Sequence, residues 1–548
     1  MKWEPQRFDD EPKPQPPKKP LPYFPYFPPK KPDYLSIIAR VLSIIVNILV
    51  IIFILMLING AQDLQQSLGK KEEKDLNWAA DKQYKPNTRF IKSIDDFIGY
   101  EEVKNQLKEY IDVVNGLTQQ NLNPDLPGGI LLHGPPGTGK TFLAKCLADS
   151  VVQKAPFFIT TGSDFVEKYV GVGASRVRSL FKTAKKTAIN ANQKYFFIFI
   201  DEIDALGGIR SNDDNKNQEQ NQTLNALLAE IDGFISSDQT PQPIIIGATN
   251  RIDILDSALI REGRLGKHIL LNLPDLKTTE LLLKKKIPNI NSNSNDIAKV
   301  IHGAKFSPAQ IIALAKEVKK NIKNSNNSIN IENIIYDAMD FILMGAKTSS
   351  SRTDEETKRI ITHELGHAIL AKTLGFEVHR VTIEARGKAG GYTIFFPKNS
   401  TKLPTKMDLI KQIIVALGGR AAEEIIFEND KISVGCGNDL GKAYIMAKEM
   451  VITYGMSLND DMSGINPLNK TIPNENQIKK IEGIIQESYK IAKKILEGKK
   501  NDFIQKEEDN NSLYSKIKEN KTLNKDDFSI ITQQEQQIKI DNGNLNLY

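Results

Sequence analysis

Residues 129–148 read Gly129-Ile-Leu-Leu-His-Gly134-Pro135-Pro136-Gly137-Thr138-Gly139-Lys140-Thr141-Phe-Leu-Ala-Lys-Cys-Leu-Ala148. The apolar run that ends at His133 predicts a short buried strand, and the residues after Thr141 have helical spacing. A glycine-rich loop between a strand and a helix binds phosphate, because backbone amides and the helix N-terminus cradle its oxygens. Lys140 is expected to meet the β- and γ-phosphates of ATP, and Thr141 to ligate Mg²⁺. We therefore predict an α/β domain, built on a parallel sheet, that binds ATP through Gly134, Pro135, Pro136, Gly137, Thr138, Gly139, Lys140 and Thr141.

Polar residues follow two further apolar strands. The run 195–200 ends in Asp201 and Glu202, and the run 244–247 leads into Asn250. Groups at the carboxyl ends of parallel strands face the ligand crevice. Asp201 is expected to hold Mg²⁺ through water, Glu202 to polarise the attacking water, and Asn250 to sense the γ-phosphate. The alternative for Asp201 and Glu202, an ordinary acidic turn, is disfavoured because the phosphate loop predicts an acidic site downstream of it.

Two arginines follow, Arg261 and Arg264. Guanidinium groups there are able to stabilise the charge of a transferring phosphoryl group across a subunit boundary. From spacing alone, ordinary surface arginines are equally plausible.

A second motif, His363-Glu364-Leu365-Gly366-His367, lies in a predicted amphipathic helix from Thr357 to Leu374. His363 and His367 are one turn apart and share a face, which is the spacing that two imidazoles need to bind one Zn²⁺. Glu364 is then the expected general base toward a water activated by the metal. Two surface histidines are the alternative, but the chain contains only six histidines. A catalytic zinc needs a third protein ligand, and by residue type the remaining local candidates are His379 and His302.

The only long apolar run is Leu35 to Asn59. As a helix it would rise roughly 37 Å, enough to cross a bilayer. A buried helix of this length would normally show more polar interruptions, and a signal peptide usually has a shorter apolar core and a small-residue cleavage site. The basic residues on its two flanks slightly favour the N-terminus inside the cell, but counts this close do not decide the orientation. Because ATP is a cytosolic fuel, we expect the large C-terminal part inside the cell.

The composition supports neither a nucleic-acid-binding protein nor a disulfide-stabilised one. The chain has 548 residues, which implies several domains, and a net charge of only +6. That charge, without a clustered basic and aromatic face, gives no argument for nucleic acid binding. Two cysteines, Cys146 and Cys436, imply no disulfide framework and fit a reducing compartment.

From about Ile94 to Gly345 the sequence resembles the AAA ATPases, and Ser163-Asp-Phe-Val-Glu-Lys-Tyr-Val-Gly-Val-Gly-Ala-Ser-Arg-Val-Arg178 narrows the resemblance to the FtsH family of membrane-bound proteases. The resemblance implies a ring hexamer in which Arg261 and Arg264 act in trans as arginine fingers. It also implies that Tyr169, Val170 and Gly171 grip substrate in the central pore. The chain departs from the family pattern at Leu265-Gly266-Lys267 and at Phe306-Ser-Pro-Ala-Gln310.

The resemblance extends to the second motif. Ile432-Ser-Val-Gly-Cys-Gly-Asn-Asp439-Leu is similar to the family stretch whose aspartate is the third zinc ligand, so the resemblance implies Asp439. Cys436 is a softer competitor nearby, which we interpret as a packing residue. The resemblance also covers Leu417-Gly-Gly-Arg-Ala-Ala-Glu-Glu424, a predicted helix with small residues on one face, to which we assign no chemistry.

These observations predict a multi-domain protein in seven parts: a Pro-rich disordered tail (1–34), one transmembrane helix (35–59), a linker (60–92), the large α/β AAA subdomain (93–275), its helical lid (276–347), a mainly α-helical zinc peptidase domain (348–498) and a polar C-terminal tail (499–548). We expect a single-pass protein of the cell membrane, with its ATPase and peptidase on the cytoplasmic side, that forms a homohexamer. Its predicted function is the ATP-dependent unfolding, threading and zinc-dependent degradation of unfolded and membrane proteins. The rivals are an ATP-driven unfoldase with a silent peptidase and an energy-independent zinc peptidase.

Overall fold

The structure is a computed structural model of the chain. It describes residues 34–86, 92–117, 129–166, 171–207, 217–235, 241–287, 290, 294–324, 331–348, 352–387, 390–398, 403–427, 429–459, 473–503, 512–531, 537–541 and 543–547. The predicted disordered tail therefore lies outside the described residues, apart from its last residue.

The first helix, α1 (Tyr34–Asp81), covers the whole run predicted to cross a membrane. The large apolar side chains that the structure describes between Leu42 and Ile58 are exposed. Among the residues that the structure describes, no helix meets the combined length and apolarity that a membrane crossing requires. The transmembrane helix is therefore not confirmed.

The segment predicted to be a linker, 60–92, is largely helical in the structure. Helix α1 continues through it to Asp81, and Asp75 and Ala79 are buried. The Trp78 ring packs edge-on against Phe165, with 5.6 Å between the ring centroids. The packed residues lie on one face of the helix, and the polar composition of the other positions concealed that face. The end of α1 thus belongs to the ATPase domain.

The predicted parallel sheet is confirmed. Five parallel strands have the order β2-β3-β4-β1-β5. The strands are β1 (Gly129–His133), β2 (Phe157–Thr161), β3 (Tyr195–Asp201), β4 (Gln242–Thr249) and β5 (Lys267–Leu270). The helices of this subdomain are α2 (Glu101–Asn115), α3 (Lys140–Val151), α4 (Val172–Asn190), α5 (Asp204–Gly207) and α6 (Asn217–Ile235).

Helices cover both faces of this sheet, and each of its central strands contains a continuous apolar run that is buried on both faces. In β3, residues 196–200 are fully buried. Phe197 and Phe199 pack into one core cluster with α2 and α3, while Phe196, Ile198 and Ile200 pack into another with α4 and α6. The sheet therefore presents its polar groups at the carboxyl ends of its strands.

The lid consists of α7 (Leu276–Lys286), α8 (Ser294–Gly303), α9 (Pro308–Asn324) and α10 (Ile331–Met344). Asp275 caps α7, since its Oδ1 accepts from the backbone N–H of Thr278 at 2.7 Å. These helices form a separate core cluster, which also includes Tyr392 and Ile394 from the following domain.

The C-terminal domain is mainly helical, as predicted. Its helices are α11 (Asp354–Thr373), α12 (Lys406–Ala416), α13 (Gly418–Phe427), α14 (Gly437–Ile452), α15 (Glu475–Phe503) and α16 (Leu513–Asn520). Its strands are β6 (Phe376–Thr382), β7 (Tyr392–Pro397) and β8 (Thr522–Asn524), which form an antiparallel sheet in the order β7-β6-β8, and the hairpin of β9 (Ile538–Asp541) and β10 (Asn544–Leu547).

Part of the segment predicted to be a polar tail, 499–548, is packed into the C-terminal domain. Strand β8 extends the sheet by pairing with β6, and Leu513, Tyr514, Ile517 and Leu523 are buried in the same core as α11. The first three have the spacing of one helix face, but abundant Lys, Asn and Asp around them lowered the average hydropathy and concealed it. Residues 512–531 therefore complete the C-terminal domain.

Candidate active site

The phosphate loop connects β1 to α3. Gly134, Gly137 and Gly139 have φ angles of 139°, 77° and 97°. Residues that carry a side chain rarely adopt such positive φ angles, so glycine is favoured at these positions. A Cβ at Gly134 would also lie 2.1 Å from the carbonyl oxygen of Leu271. The glycines therefore serve a loop shape that no other residue type fits.

Lys140 and Thr141 open α3 beside this loop. The Lys140 ammonium donates to the carbonyl oxygens of Gly134 and Pro135, at 2.8 and 2.9 Å. The Thr141 hydroxyl donates to Oδ2 of Asp201 at 2.5 Å. Burial lowers the pKa of Lys140, although Asp201 and Asp204 oppose that shift. A buried ammonium at a helix N-terminus fits an anionic ligand such as a nucleotide phosphate.

Asp201, Glu202 and Asn250 lie at the same edge of the sheet. Asp201 ends β3, and Asn250 directly follows β4, whose Thr249 pairs with His133 of β1. Glu202 and Asn250 are exposed, and Glu202 has a φ of 50°. The predicted nucleotide residues are thus brought together in space, with a carboxylate and a hydroxyl already in contact where Mg²⁺ is expected.

The two arginines differ in their surroundings. Arg261 is exposed. Arg264 forms a bidentate pair with Asp232 at 2.9 and 2.7 Å and donates to the Ala258 carbonyl at 2.6 Å. Within this one chain, Arg264 is therefore engaged by its own subunit. Of the predicted pore residues, Tyr169 and Val170 lie outside the described residues, while Gly171 precedes α4 with a φ of 82°.

The second site lies between α11, α13 and α14. His363 Nε2 is 3.2 Å from His367 Nε2 and 3.3 Å from Oδ2 of Asp439, which is 3.5 Å from His367 Nε2. Asp439 lies in the first turn of α14, and Lys442 donates to its other oxygen at 3.0 Å. The structure thus brings the three predicted zinc ligands together.

The remaining ring nitrogens show which tautomer each histidine adopts. His367 Nδ1 lies 2.7 Å from the carbonyl oxygen of Val415, which only accepts hydrogen bonds, so Nδ1 carries the proton. His363 Nδ1 lies 2.7 Å from the Glu423 carboxylate, which favours the same tautomer. Two nitrogen lone pairs and a carboxylate oxygen then converge with no proton between them. Such a donor set requires a cation, and it fits Zn²⁺.

The two carboxylates that contact His363 favour its protonated form. Burial alone lowers the pKa of His363, but hydrogen bonds to Asp439 and Glu423 outweigh it and raise that pKa to about 10. Because a metal ligand must be the neutral imidazole, zinc would compete with this protonation and would bind less well as the pH falls.

Glu423 is a functional residue that the sequence analysis missed. It is 1% exposed, and besides His363 it accepts from the Ser433 backbone N–H at 2.8 Å and from the Ser433 hydroxyl at 3.0 Å. Burial alone raises its pKa, but the hydrogen bonds from His363 and Ser433 hold that pKa below the ordinary value. Glu423 therefore stays ionised and orients the His363 ring.

The small-residue face of α13, to which we assigned no chemistry, allows this arrangement. A Cβ on Gly419 would lie 2.3 Å from the His363 ring, and one on Gly366 would lie 2.5 Å from the carbonyl oxygen of Gly418. The glycines thus let α13 pack against the face of α11 that carries both histidines.

Glu364 lies beside the cluster and is 6% exposed. Its Oε2 accepts from the Thr393 hydroxyl at 2.8 Å. Burial raises the pKa of Glu364, which suits a residue that must take up and release a proton.

The alternative zinc ligands lie in other contacts. His379 Nε2 lies 3.4 Å from Glu377, and its ring packs at a tilt against Phe396, with 5.3 Å between the ring centroids. His302 lies in the last turn of α8 in the lid. The Cys436 thiol donates to the Ser433 carbonyl at 3.4 Å and accepts from Arg420. Within the described part of the chain, the metal-compatible group that contains histidine is His363, His367 and Asp439.

Comparisons with known proteins match both domains. Residues 130–273 match the family described as ATPase family associated with various cellular activities, and residues 351–531 match Peptidase family M41. The chain is 38% identical to the ATP-dependent zinc metalloprotease FtsH of Mycoplasma genitalium, over 83% of this chain and 65% of that protein. It is 38% identical to FtsH 2 of Thermoanaerobacter sp. strain X514, over 80% and 82%, and 41% identical to FtsH 1 of Phytoplasma mali, over 71% and 63%.

The chain thus spans slightly less than two thirds of the length of the first and third of these relatives. An ATPase domain and a zinc peptidase domain follow one another in the order that the two motifs predict, and the similarity to the Thermoanaerobacter protein covers most of both chains. The chain therefore belongs to the FtsH family of ATP-dependent zinc metalloproteases.

Proposed function

We propose that this chain is itself an active ATP-dependent zinc metalloprotease, in which ATP turnover drives protein substrates to a zinc site that cleaves them. The convergence of His363, His367 and Asp439, with both Nε2 lone pairs directed at one point, carries this proposal. It argues against a silent peptidase, because each predicted ligand is present and oriented.

His363, His367 and Asp439 would hold the zinc, which when bound polarises water and the scissile carbonyl group. Glu364 then accepts the proton of the attacking water and delivers it to the leaving amine. Its burial keeps bulk water away from that proton. Glu423 and the Val415 carbonyl fix both imidazoles and so preserve the geometry of the donor set.

In the ATPase domain, the loop from Gly134 to Gly139 and Lys140 would hold the phosphates, and Thr141 and Asp201 would hold Mg²⁺. Glu202 would orient the attacking water, and Asn250 would contact the γ-phosphate. The exposed position of Glu202 and Asn250 at the carboxyl edge of the sheet supports these roles.

We further propose a homohexameric ring that acts on unfolded and membrane proteins. Arg261 is exposed, which supports a role toward the nucleotide of a neighbouring subunit. For Arg264 to act in the same way, its pair with Asp232 must open or be shared. Tyr169, Val170 and Gly171 would contact substrate in the pore.

Removing Asp439 tests the third ligand. Asp439→Ala is expected to weaken zinc binding by more than about 100-fold, because losing even an outer-shell partner commonly costs about 10–100-fold. Zinc content by metal analysis measures it, with the exposed Asp430→Ala as the matched control. Full zinc content and full activity in Asp439→Ala would show that the third ligand lies elsewhere, with Cys436 or His379 next to test.

We also propose that the chain crosses the cell membrane once, with both domains in the cytoplasm. The exposed apolar side chains between Leu42 and Ile58 support this, since a surface of that kind suits lipid. Protease added to intact cells should trim only residues before about Asp33, whereas permeabilised cells should lose the domains as well. Cleavage after Lys70 in intact cells would contradict this topology.

A further inference from the structure

Strand β7 lies between the peptidase site and the ATPase lid. Its side chains alternate between the two faces of the sheet, as in any strand. Tyr392 and Ile394 are buried in the core of the lid, whereas Phe395 packs with the core of the peptidase domain. Thr393, on the same face as Phe395, reaches Glu364.

Thr393 contacts Glu364 in two ways. Its hydroxyl oxygen lies 2.8 Å from the carboxylate Oε2 and 3.1 Å from the backbone carbonyl oxygen of Glu364. A hydroxyl group has one hydrogen, and the carboxylate offers the shorter and charge-assisted bond. Thr393 therefore restrains the buried carboxylate of Glu364, which lies beside the predicted zinc ligands.

The lid fixes the neighbouring residue. The Tyr392 hydroxyl donates to Oδ1 of Asp340, a fully buried residue of α10. Asp340 is held in turn by Arg380 of β6, whose Nε and NH2 groups donate to it at 3.1 and 2.8 Å. A buried and paired carboxylate of this kind tolerates little displacement, since an unpaired buried charge is costly.

The lid and β7 also make a direct packing contact. Phe396 of β7 packs so closely on Gly303 of α8 that a Cβ there would lie 2.5 Å from its ring. A movement of the lid must therefore move β7, or break the contacts of Tyr392 and Phe396.

We infer that Thr393 is a positioning residue for Glu364, and that the ATPase lid sets the place of Thr393 through the hydrogen bond between Tyr392 and Asp340. This inference rests on the proposed peptidase function. It adds a chain of contacts through which the nucleotide state of the ATPase domain would affect the position of Glu364, the proposed general base.

Thr393→Val tests the first step, because it removes the hydroxyl at nearly constant volume. In the full chain with zinc, kcat for a short unstructured fluorogenic peptide should fall about tenfold, the size expected for one hydrogen bond to a charged group. KM should stay within about twofold, and zinc content and ATPase rate should not change. Thr393→Ser restores the hydroxyl and should recover most of the rate.

The matched control is Thr373→Val. Thr373 is also buried and ends α11, the helix that carries Glu364, but its hydroxyl has no hydrogen-bond partner among the described residues. Thr373→Val should leave kcat within about twofold of the wild type. The thermal midpoint of the zinc-free protein should be similar in both valine variants, which separates positioning from a loss of folding.

Tyr392→Phe tests the second step. It should lower kcat for the same peptide. The double variant of Tyr392→Phe and Thr393→Val should be no slower than Thr393→Val alone, because Tyr392 acts only through the position of the Thr393 hydroxyl. Effects that multiply would overturn the connection to the lid. A kcat for Thr393→Val within twofold of the wild type would overturn the whole inference, whereas a wild-type protein that does not cleave the peptide would instead refute the proposed function.

Discussion

Glu364→Gln is expected to reduce proteolysis by about 10²–10⁴-fold, the usual contribution of a positioned general base. Glutamine has nearly the same shape as glutamate and still accepts the hydrogen bond from Thr393, so the buried site should remain folded. It cannot take up a proton from water at neutral pH. Zinc content and ATPase rate should therefore equal those of the wild type, while cleavage of casein and of short peptides is lost.

The matched control for this variant is Glu355→Gln on the same helix, eight residues before His363, whose side chain is 78% exposed. It should leave proteolysis unchanged. If Glu364→Gln cleaves peptides at the wild-type rate with zinc bound, the assignment of the general base is wrong.

Glu202→Gln is expected to lower ATP hydrolysis by at least about 100-fold while ATP still binds, because the phosphate loop, Lys140 and Thr141 are unaltered. Steady-state phosphate release and equilibrium nucleotide binding measure the two properties separately. The exposed Glu102→Gln serves as the control. A normal hydrolysis rate in Glu202→Gln would exclude this residue as the group that orients the water.

The two variants also separate the two activities. Glu202→Gln should still cleave short peptides that reach the zinc site by diffusion, but it should fail to degrade folded proteins. Glu364→Gln should hydrolyse ATP and degrade neither. The two variants are expected to differ in this way because the nucleotide site and the zinc site have no side chain in common.

Local patterns in the sequence were enough to predict the phosphate loop and the pair of histidines. The phosphate loop and His363 with His367 depend on spacing within one loop or one helical turn, where geometry follows directly from the order of residues. Strands β1, β3 and β4 were predicted because each contains a continuous apolar run, and the carboxyl edge of a parallel sheet then brings Asp201 and Asn250 to the phosphate loop.

Contacts between distant segments were not predictable in the same way. Asp439 is 76 residues from His363, and only the family resemblance pointed to it. Glu423 was missed because a buried acidic residue in a helix looks like any other until its partners, His363 and Ser433, are placed around it. The end of α1 and the segment 512–531 were misjudged because a few apolar residues on one helix face are outweighed by polar neighbours in average hydropathy.

Casein digestion by the detergent-solubilised full chain, with and without ATP and with a zinc chelator, tests most directly whether ATP turnover drives cleavage at the zinc site. We predict that digestion proceeds with ATP, stops when ATP is withheld or when the chelator is added, and resumes when zinc is restored. Digestion that continues at the same rate without ATP and in the presence of the chelator would contradict the account.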